Sequence, residues 1–194
     1  GIPIATNRIG YTIHVARTNL KDPQLNEMIH KLIQILESNG DTFESGLPKY
    51  LTFNPIAFGS SINNSEKALQ KWKSEMVLKE KDINLLNTPE DVFRYFREKK
   101  FGIDEKYTDE EAYKIMCIRY DMLIKGYTAI NPLRIAKDVD IRTVAQIEER
   151  SHEFPGVQID VEPERKYLDS MNFAHVLGYM RLLSEEEYEA KKDA

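Results

Sequence analysis

Two stretches of alternating apolar and polar residues, one near each end of the chain, limit the folds open to this sequence. They cover Arg8–Val15 and Val157–Glu162, and a third strand pattern covers Leu133–Lys137. Alternation with a period of two indicates half-buried β-strands. Helical patterns fill most of the chain between them, so the strands must come together from distant segments. The sequence therefore predicts an α+β fold, with a small sheet of N- and C-terminal strands and an inserted helical lobe.

Turn-forming residues refine this prediction near both ends. Ile2–Ala5 followed by Thr6-Asn7 predicts a hairpin partner for the first strand, and Pro155-Gly156 predicts a turn before the last one. A short strand is expected at Tyr50–Phe53, followed by a loop rich in Gly, Ser and Asn at Gly59–Asn64. Residues 1–20 and 130–194 would then form a sheet-containing base, and residues 21–129 a mainly helical lobe.

The helices are bounded by recognisable start and stop residues. We expect N-caps at Asp22, Ser65, Thr88 and Thr108, and a short helix from Asp140 to about Ser151. The helix that follows Thr108 should bury one long stripe, made of Tyr113, Met116, Cys117, Tyr120, Leu123 and Ile124.

Charge and hydropathy exclude two classes of partner. The net charge is −5, and the basic clusters are short: Lys71 and Lys73 flank Trp72, and Arg97, Lys99 and Lys100 close a helix. Acidic neighbours surround both clusters, so we interpret them as solvated helix faces and expect no nucleic-acid binding. The sequence has no run of 18 or more apolar residues, so this segment is not expected to span a bilayer.

Candidate catalytic and metal-binding residues have simpler interpretations. The four histidines, His14, His30, His152 and His175, show no metal-ligand spacing, and the single Cys117 lies in an apolar helical stripe. Acidic runs fall in first helical turns, where negative charge favours the helix dipole. We therefore expect no catalytic residue, no cofactor and no metal.

The two ends suggest that the chain is a piece of a longer protein. It begins with Gly1 rather than Met, and the charged helix predicted over Ser184–Ala194 stops without a closing element.

A run of residues in the C-terminal third carries a family resemblance. It comprises Ile147–Val157, with Arg150-Ser151-His152-Glu153-Phe154-Pro155-Gly156 inside it, then Val161–Tyr167 and Ala174–Tyr179. This run resembles the N-terminal module of class B penicillin-binding proteins. The opening Gly1–Ala5 and the strand Tyr11–Val15 resemble the segment after an Arg-Gly motif in that family. Tyr107–Ala112 with Arg119-Tyr120 resembles its Gram-positive elongation-type members.

The resemblance implies structural or interdomain roles for seven residues: Pro155, Gly156, Arg165, Tyr167, His175, Gly178 and Tyr179. Arg165 would pair with a carboxylate across a domain boundary. Leu168 and Ser170 stand where the family often has Pro and Gly, so the local turn can differ.

The family's full-length proteins are serine D,D-transpeptidases that cross-link peptidoglycan and bind β-lactams. That chemistry needs a Ser-x-x-Lys nucleophile motif, a Ser-x-Asn motif and a Lys-Thr-Gly or Lys-Ser-Gly strand. The sequence contains no Ser-x-x-Lys and no Lys-Thr-Gly or Lys-Ser-Gly, and the Ser-x-Asn at Ser61-Ile62-Asn63 is interpreted as a coincidence. The resemblance thus predicts the non-catalytic pedestal, or dimerisation domain, with β-lactam binding confined to an absent domain.

The resemblance also implies partners and a location. The partners would be the protein's own C-terminal transpeptidase domain, a membrane glycosyltransferase of the elongation or division machinery, and a second copy in a homodimer. The domain would lie on the extracytoplasmic face of the cell membrane, with its anchor outside this chain. Two alternatives remain at this point: an unrelated α+β protein-interaction module, and a self-contained hydrolase whose nucleophile the sequence does not nominate.

Overall fold

The computed structural model describes residues 5–76, 82–83 and 86–167, with side chains described from Gly10 to Glu162. Within these residues the fold is α+β, as predicted, with five α-helices, a three-stranded antiparallel sheet and a two-stranded one. The elements in chain order are β1 Ala5–Val15, α1 Asp22–Ser38, β2 Leu51–Thr52, β3 Ala57–Phe58, α2 Glu66–Met76, α3 Pro89–Tyr95, α4 Asp109–Lys125, β4 Leu133–Val139, α5 Ile141–Glu149 and β5 Val157–Tyr167.

The larger sheet has the order β4-β1-β5, so the strands from the two ends of the chain are neighbours. β1 pairs with β4 in antiparallel register, including Val15 opposite Leu133, and the register shifts on both sides of Ile13. Ile13 and Val15 are fully or almost fully buried, as the alternation predicts. The hairpin turn predicted at Thr6-Asn7 is wrong, because β1 runs through both residues. Continuous strand pairing overrides the local turn preference of this dipeptide.

Helix α1 buries an apolar stripe that includes Leu25, Ile29 and Leu36, and it packs against α4 and α5. The helix begins at Asp22, so Lys21 is the N-cap rather than Asp22. The backbone N–H of Lys21 donates to Oε1 of Gln24 at 3.3 Å. This bond gives that N–H an acceptor, which the predicted cap at Asp22 would not provide. The buried Asn26 donates from Nδ2 to the carbonyl oxygens of Phe101 and Gly102, at 2.9 and 3.1 Å.

The caps of the middle helices are as predicted. Ser65 precedes α2 and accepts from the N–H of Ala68, while Thr88 and Thr108 form capping boxes with the third residues of α3 and α4. After α3 the chain continues in a π-helical turn, Phe96–Lys100.

One residue in each basic cluster is less exposed than a solvated face would be. The side chain of Arg97 is 14% exposed; it donates to the carbonyl oxygen of Tyr107 at 2.6 Å and pairs with Asp109. Lys73 is 5% exposed and its Nζ lies 5.7 Å from the ring centroid of Phe58. The interpretation as solvated faces is therefore wrong for these two residues, whose stems pack on apolar and backbone neighbours while their charges find partners.

Helix α4 corrects the predicted stripe at its end. Met116, Cys117 and Tyr120 are buried, but Leu123 and Ile124 are 44% and 51% exposed. In the last turns of the helix the covered side is the one that carries Asp121 and Met122 instead. A single stripe does not account for the buried residues of α4, because other elements cover the middle of this helix on more than one side.

An aromatic group fills the centre of the core. The indole of Trp72 stacks on Tyr50 with the ring centroids 5.5 Å apart, and its Nε1–H donates to the hydroxyl of Tyr120 at 3.2 Å. Burial of this apolar surface, at roughly 25 cal/mol per Å², is the main stabilising term for such a core.

The contacts divide the chain into two compact units. One is Gly10–Glu162, which takes in every helix named above, and the described residues up to Ile9 and from Pro163 belong to the other. No helix among the described residues is long and apolar enough to cross a membrane.

Candidate functional site

The residues singled out by sequence fall in three places. Pro155 and Gly156 lie in the turn before β5, and Arg165 and Tyr167 lie in β5 itself, where only the backbone is described. The last three, His175, Gly178 and Tyr179, lie outside the described residues. The pairing of Arg165 with a carboxylate stays a prediction. Pro155 and Gly156 belong to the segment Arg150–Val157, which we call the corner.

The corner comes directly after the end of α5. The helix stops at Glu149, Ser151–Glu153 form one 3₁₀ turn, and the ring of Phe154 is 3% exposed beneath it. The N–H of Phe154 donates to the carbonyl of Ser151 at 3.0 Å, and the N–H of Val157 donates to the carbonyl of Phe154 at 3.1 Å. These bonds turn the chain from helix to strand around one buried aromatic anchor.

Gly156 joins the corner to the end of β1. Its carbonyl accepts from the N–H of Ala16 at 2.8 Å, and its φ is +85°, a conformation that glycine adopts at little cost. A Cβ at this position would lie 2.6 Å from Cγ2 of Thr18 and 2.7 Å from the carbonyl oxygen of Ala16. Only glycine therefore fits the close approach of the two backbones.

Three charged side chains brace the corner against α1. Arg150 donates from Nε and Nη2 to the two carboxylate oxygens of Glu153, at 2.7 and 3.1 Å. Lys31 of α1 reaches the same carboxylate at 2.9 Å. The hydrogen bonds from Arg150 and then from Lys31 lower the pKa of Glu153 to about 2, so the carboxylate stays ionised at neutral pH. The corner is thus tied to two distant segments, β1 by backbone and α1 by charge.

Two of the remaining candidates, His30 and His14, lie beside carboxylates. Nε2 of His30 lies 3.0 Å from Oε1 of Glu111, and its ring packs edge-on against Tyr107. Nδ1 of His14 lies 3.2 Å from Oδ2 of Asp160 on β5. Burial raises the pKa of Cys117 to about 12, the opposite of what a nucleophilic thiol needs. Within the described ranges no group of three or more His, Cys, Asp or Glu could hold a metal ion.

Sequence reasoning missed several residues that hold the core and the corner together. Asp121 is 2% exposed and accepts from the N–H of Gly46 at 2.9 Å and from Lys125 at the same distance. The ion pair between Lys31 and Glu153 cannot be predicted from the sequence, because the two residues lie on elements far apart in the chain.

The whole chain matches one known protein family. The family model described as the penicillin-binding protein dimerisation domain matches residues 1–194, the whole chain. The chain belongs to this family. In a penicillin-binding protein the dimerisation domain is the non-catalytic part, as the sequence resemblance implies. The match also removes the support for an unrelated interaction module.

Two solved structures of penicillin-binding protein 2B from Streptococcus pneumoniae are similar to the chain. With strain 5204 the identity is 18% and the TM-score 0.44, over 97% of this chain and 28% of the other. With strain R6 the identity is 20% and the TM-score 0.35, over 98% and 28%. The chain therefore spans little more than a quarter of the length of these proteins. Comparison with curated protein sequences gives no significant match.

Proposed function

We propose that this chain is the pedestal of a membrane-anchored class B penicillin-binding protein of the elongation type. It would hold a C-terminal serine D,D-transpeptidase domain at a fixed position on the extracytoplasmic face of the membrane. It would also contact a membrane glycosyltransferase of the elongation or division machinery, or a second copy of itself. The observation that carries the proposal is the family match over the whole chain.

The described geometry suits a positioning role. β1 and β5 are antiparallel neighbours, so the chain enters and leaves the larger sheet at the same end. The corner fixes β5 through a backbone hydrogen bond to the end of β1 and an ionic contact with α1. Such cross-links suit a part that transmits position rather than one that opens and closes.

The proposal is tested by separating the two halves of the parent protein. Full-length protein, this chain alone and the downstream part alone are each treated with a fluorescent penicillin and then used to capture the membrane glycosyltransferase. We expect covalent labelling of the full-length protein and the downstream part, and capture by the full-length protein and this chain. Labelling of this chain, or capture by the downstream part alone, would contradict the proposal.

A further inference from the structure

A cleft of about 620 Å³ opens beside the start of α1, within the unit Gly10–Glu162. Its walls come from the segment after β1, the π-helical turn after α3, and the end of α4 with the loop that follows it. Four charged residues line it: Arg17, Lys100 and Arg119 are cations and Asp22 is the one carboxylate. The cleft thus concentrates positive charge in a chain whose net charge is −5.

Arg119 is the most buried of these cations, with 12% of its side chain exposed. Its Nη2 lies 2.6 Å from Oδ1 of Asp22, and its guanidinium lies over the ring of Phe101 at 5.6 Å. Its Nη1 is buried and has no hydrogen-bond partner among the described residues. Buried donors of this kind are normally satisfied, and among the described residues this one is not.

Unlike Arg119, the other two cations lack a counter-charge among the described residues. Within the described part of the chain, neither Arg17 nor Lys100 has an ion-pair partner. Lys100 is half-buried, and burial lowers its pKa because no nearby anion offsets the loss of water. An anion in the cleft would meet up to three cations, of which only Arg119 is already paired.

Apolar side chains also line the cleft. Leu123, the residue that the predicted stripe placed in the core, is 44% exposed and lines the cleft beside Tyr127. An apolar wall beside unpaired charges suits a contact surface.

We propose that this cleft binds a partner polypeptide through a carboxylate that lies next to an aliphatic side chain. The carboxylate accepts hydrogen bonds from Arg119, Arg17 and Lys100, and the aliphatic group packs on Leu123 and Tyr127. Asp22 disfavours a more highly charged group such as a phosphate, because it would repel a second negative charge. The inference refines the contact role proposed above and rests on it for the partner.

The test uses N-acetyl-leucine, which joins a carboxylate to an isobutyl group, and its neutral analogue N-acetyl-leucinamide. Each is titrated into ¹⁵N-labelled chain while amide chemical shifts are followed. We expect N-acetyl-leucine to bind with a dissociation constant on the order of a few millimolar. It should shift the amides of Thr18, Phe101 and Leu123, and binding should weaken between about 0.05 and about 0.5 M NaCl.

Variants separate the cleft from general charge effects. Arg17→Gln with Lys100→Gln should weaken binding about tenfold, as the loss of charge-assisted hydrogen bonds at a partly exposed site implies. Lys49→Gln with Lys67→Gln removes the same charge from exposed positions outside the cleft and should leave binding unchanged. Neither pair contains Arg119, whose contacts with Asp22 and Phe101 belong to the fold.

Three results would overturn the proposal: equal shifts with the amide, shifts confined to residues outside the cleft or absent altogether, or equal binding by both double variants. These results are independent of the penicillin and capture experiment. If N-acetyl-leucine binds as expected but the downstream part captures the glycosyltransferase, the pedestal role fails and the cleft stands. If the capture succeeds and the titration fails, only the cleft is rejected.

Discussion

Replacing Gly156 with alanine should destabilise the chain strongly, because two separate costs meet at this residue. A φ of +85° costs a non-glycine residue about 1 kcal/mol. The new Cβ would also lie 2.7 Å from the carbonyl oxygen of Ala16 and 2.6 Å from Cγ2 of Thr18, so backbone must move, at about 2 kcal/mol. We expect a total loss of about 3 kcal/mol in the free energy of unfolding, measured by urea denaturation with the fluorescence of Trp72.

Gly40 provides a matched control for this prediction. Its φ is +83°, and a Cβ there would have no atom within 4 Å, so Gly40→Ala should cost only the backbone term of about 1 kcal/mol. Thr18→Ser removes the side-chain half of the clash and should recover part of the loss in the Gly156→Ala background. Equal losses for the two alanine variants would refute the reasoning, because the close approach to β1 would then contribute nothing.

Three further predictions concern charge, reactivity and hydrogen bonding. The pKa of Glu153 is about 2 rather than its ordinary 4.5, so its ion pairs stabilise the fold above about pH 4.5 and this contribution is lost as the pH falls towards 2. Glu153→Gln should therefore flatten the pH dependence of the free energy of unfolding in urea over this range. Glu149→Gln should leave that pH dependence unchanged. Cys117, with a pKa of about 12, should react with a disulfide reagent only in denaturant, and fast labelling of the folded chain would contradict its burial. Tyr120→Phe should cost about 1–2 kcal/mol in urea denaturation, since the buried indole N–H of Trp72 loses its acceptor, and an unchanged midpoint would show that this bond is dispensable.

Local signals in the sequence predict the starts of α2, α3 and α4. Ser65, Thr88 and Thr108 cap their helices through bonds to residues three positions away, and such short-range chemistry is visible in the sequence. The strand β4 at Leu133–Val139 is likewise predicted from its first five residues. The turn prediction at Thr6-Asn7 fails because strand pairing with distant residues decides the conformation there.

Periodicity shows which face of a helix is apolar, but it does not show how far the covering elements extend. The spacing of Leu123 and Ile124 continues the stripe of α4, yet neither is buried, whereas Asp121, next to Tyr120, is buried. Asp121 is tolerated inside because the N–H of Gly46, 75 residues away, donates to it. Such long-range compensation has no local signature.

The same limit explains why the corner could be suspected from sequence and the cleft could not. The corner is one continuous segment, so its Arg, Glu, Pro and Gly stand together in the chain and a family motif can record them. The cations of the cleft come from three segments, at Arg17, Lys100 and Arg119, and a count of charges places Lys100 with Arg97 in one basic cluster. The fold separates those two: Arg97 binds the carbonyl of Tyr107, whereas Lys100 lies unpaired at the cleft among the described residues. An interaction surface assembled in this way depends on the packing of α1, α4 and the π-helical turn. A substitution that loosens that packing should therefore weaken carboxylate binding even when all three cations are retained.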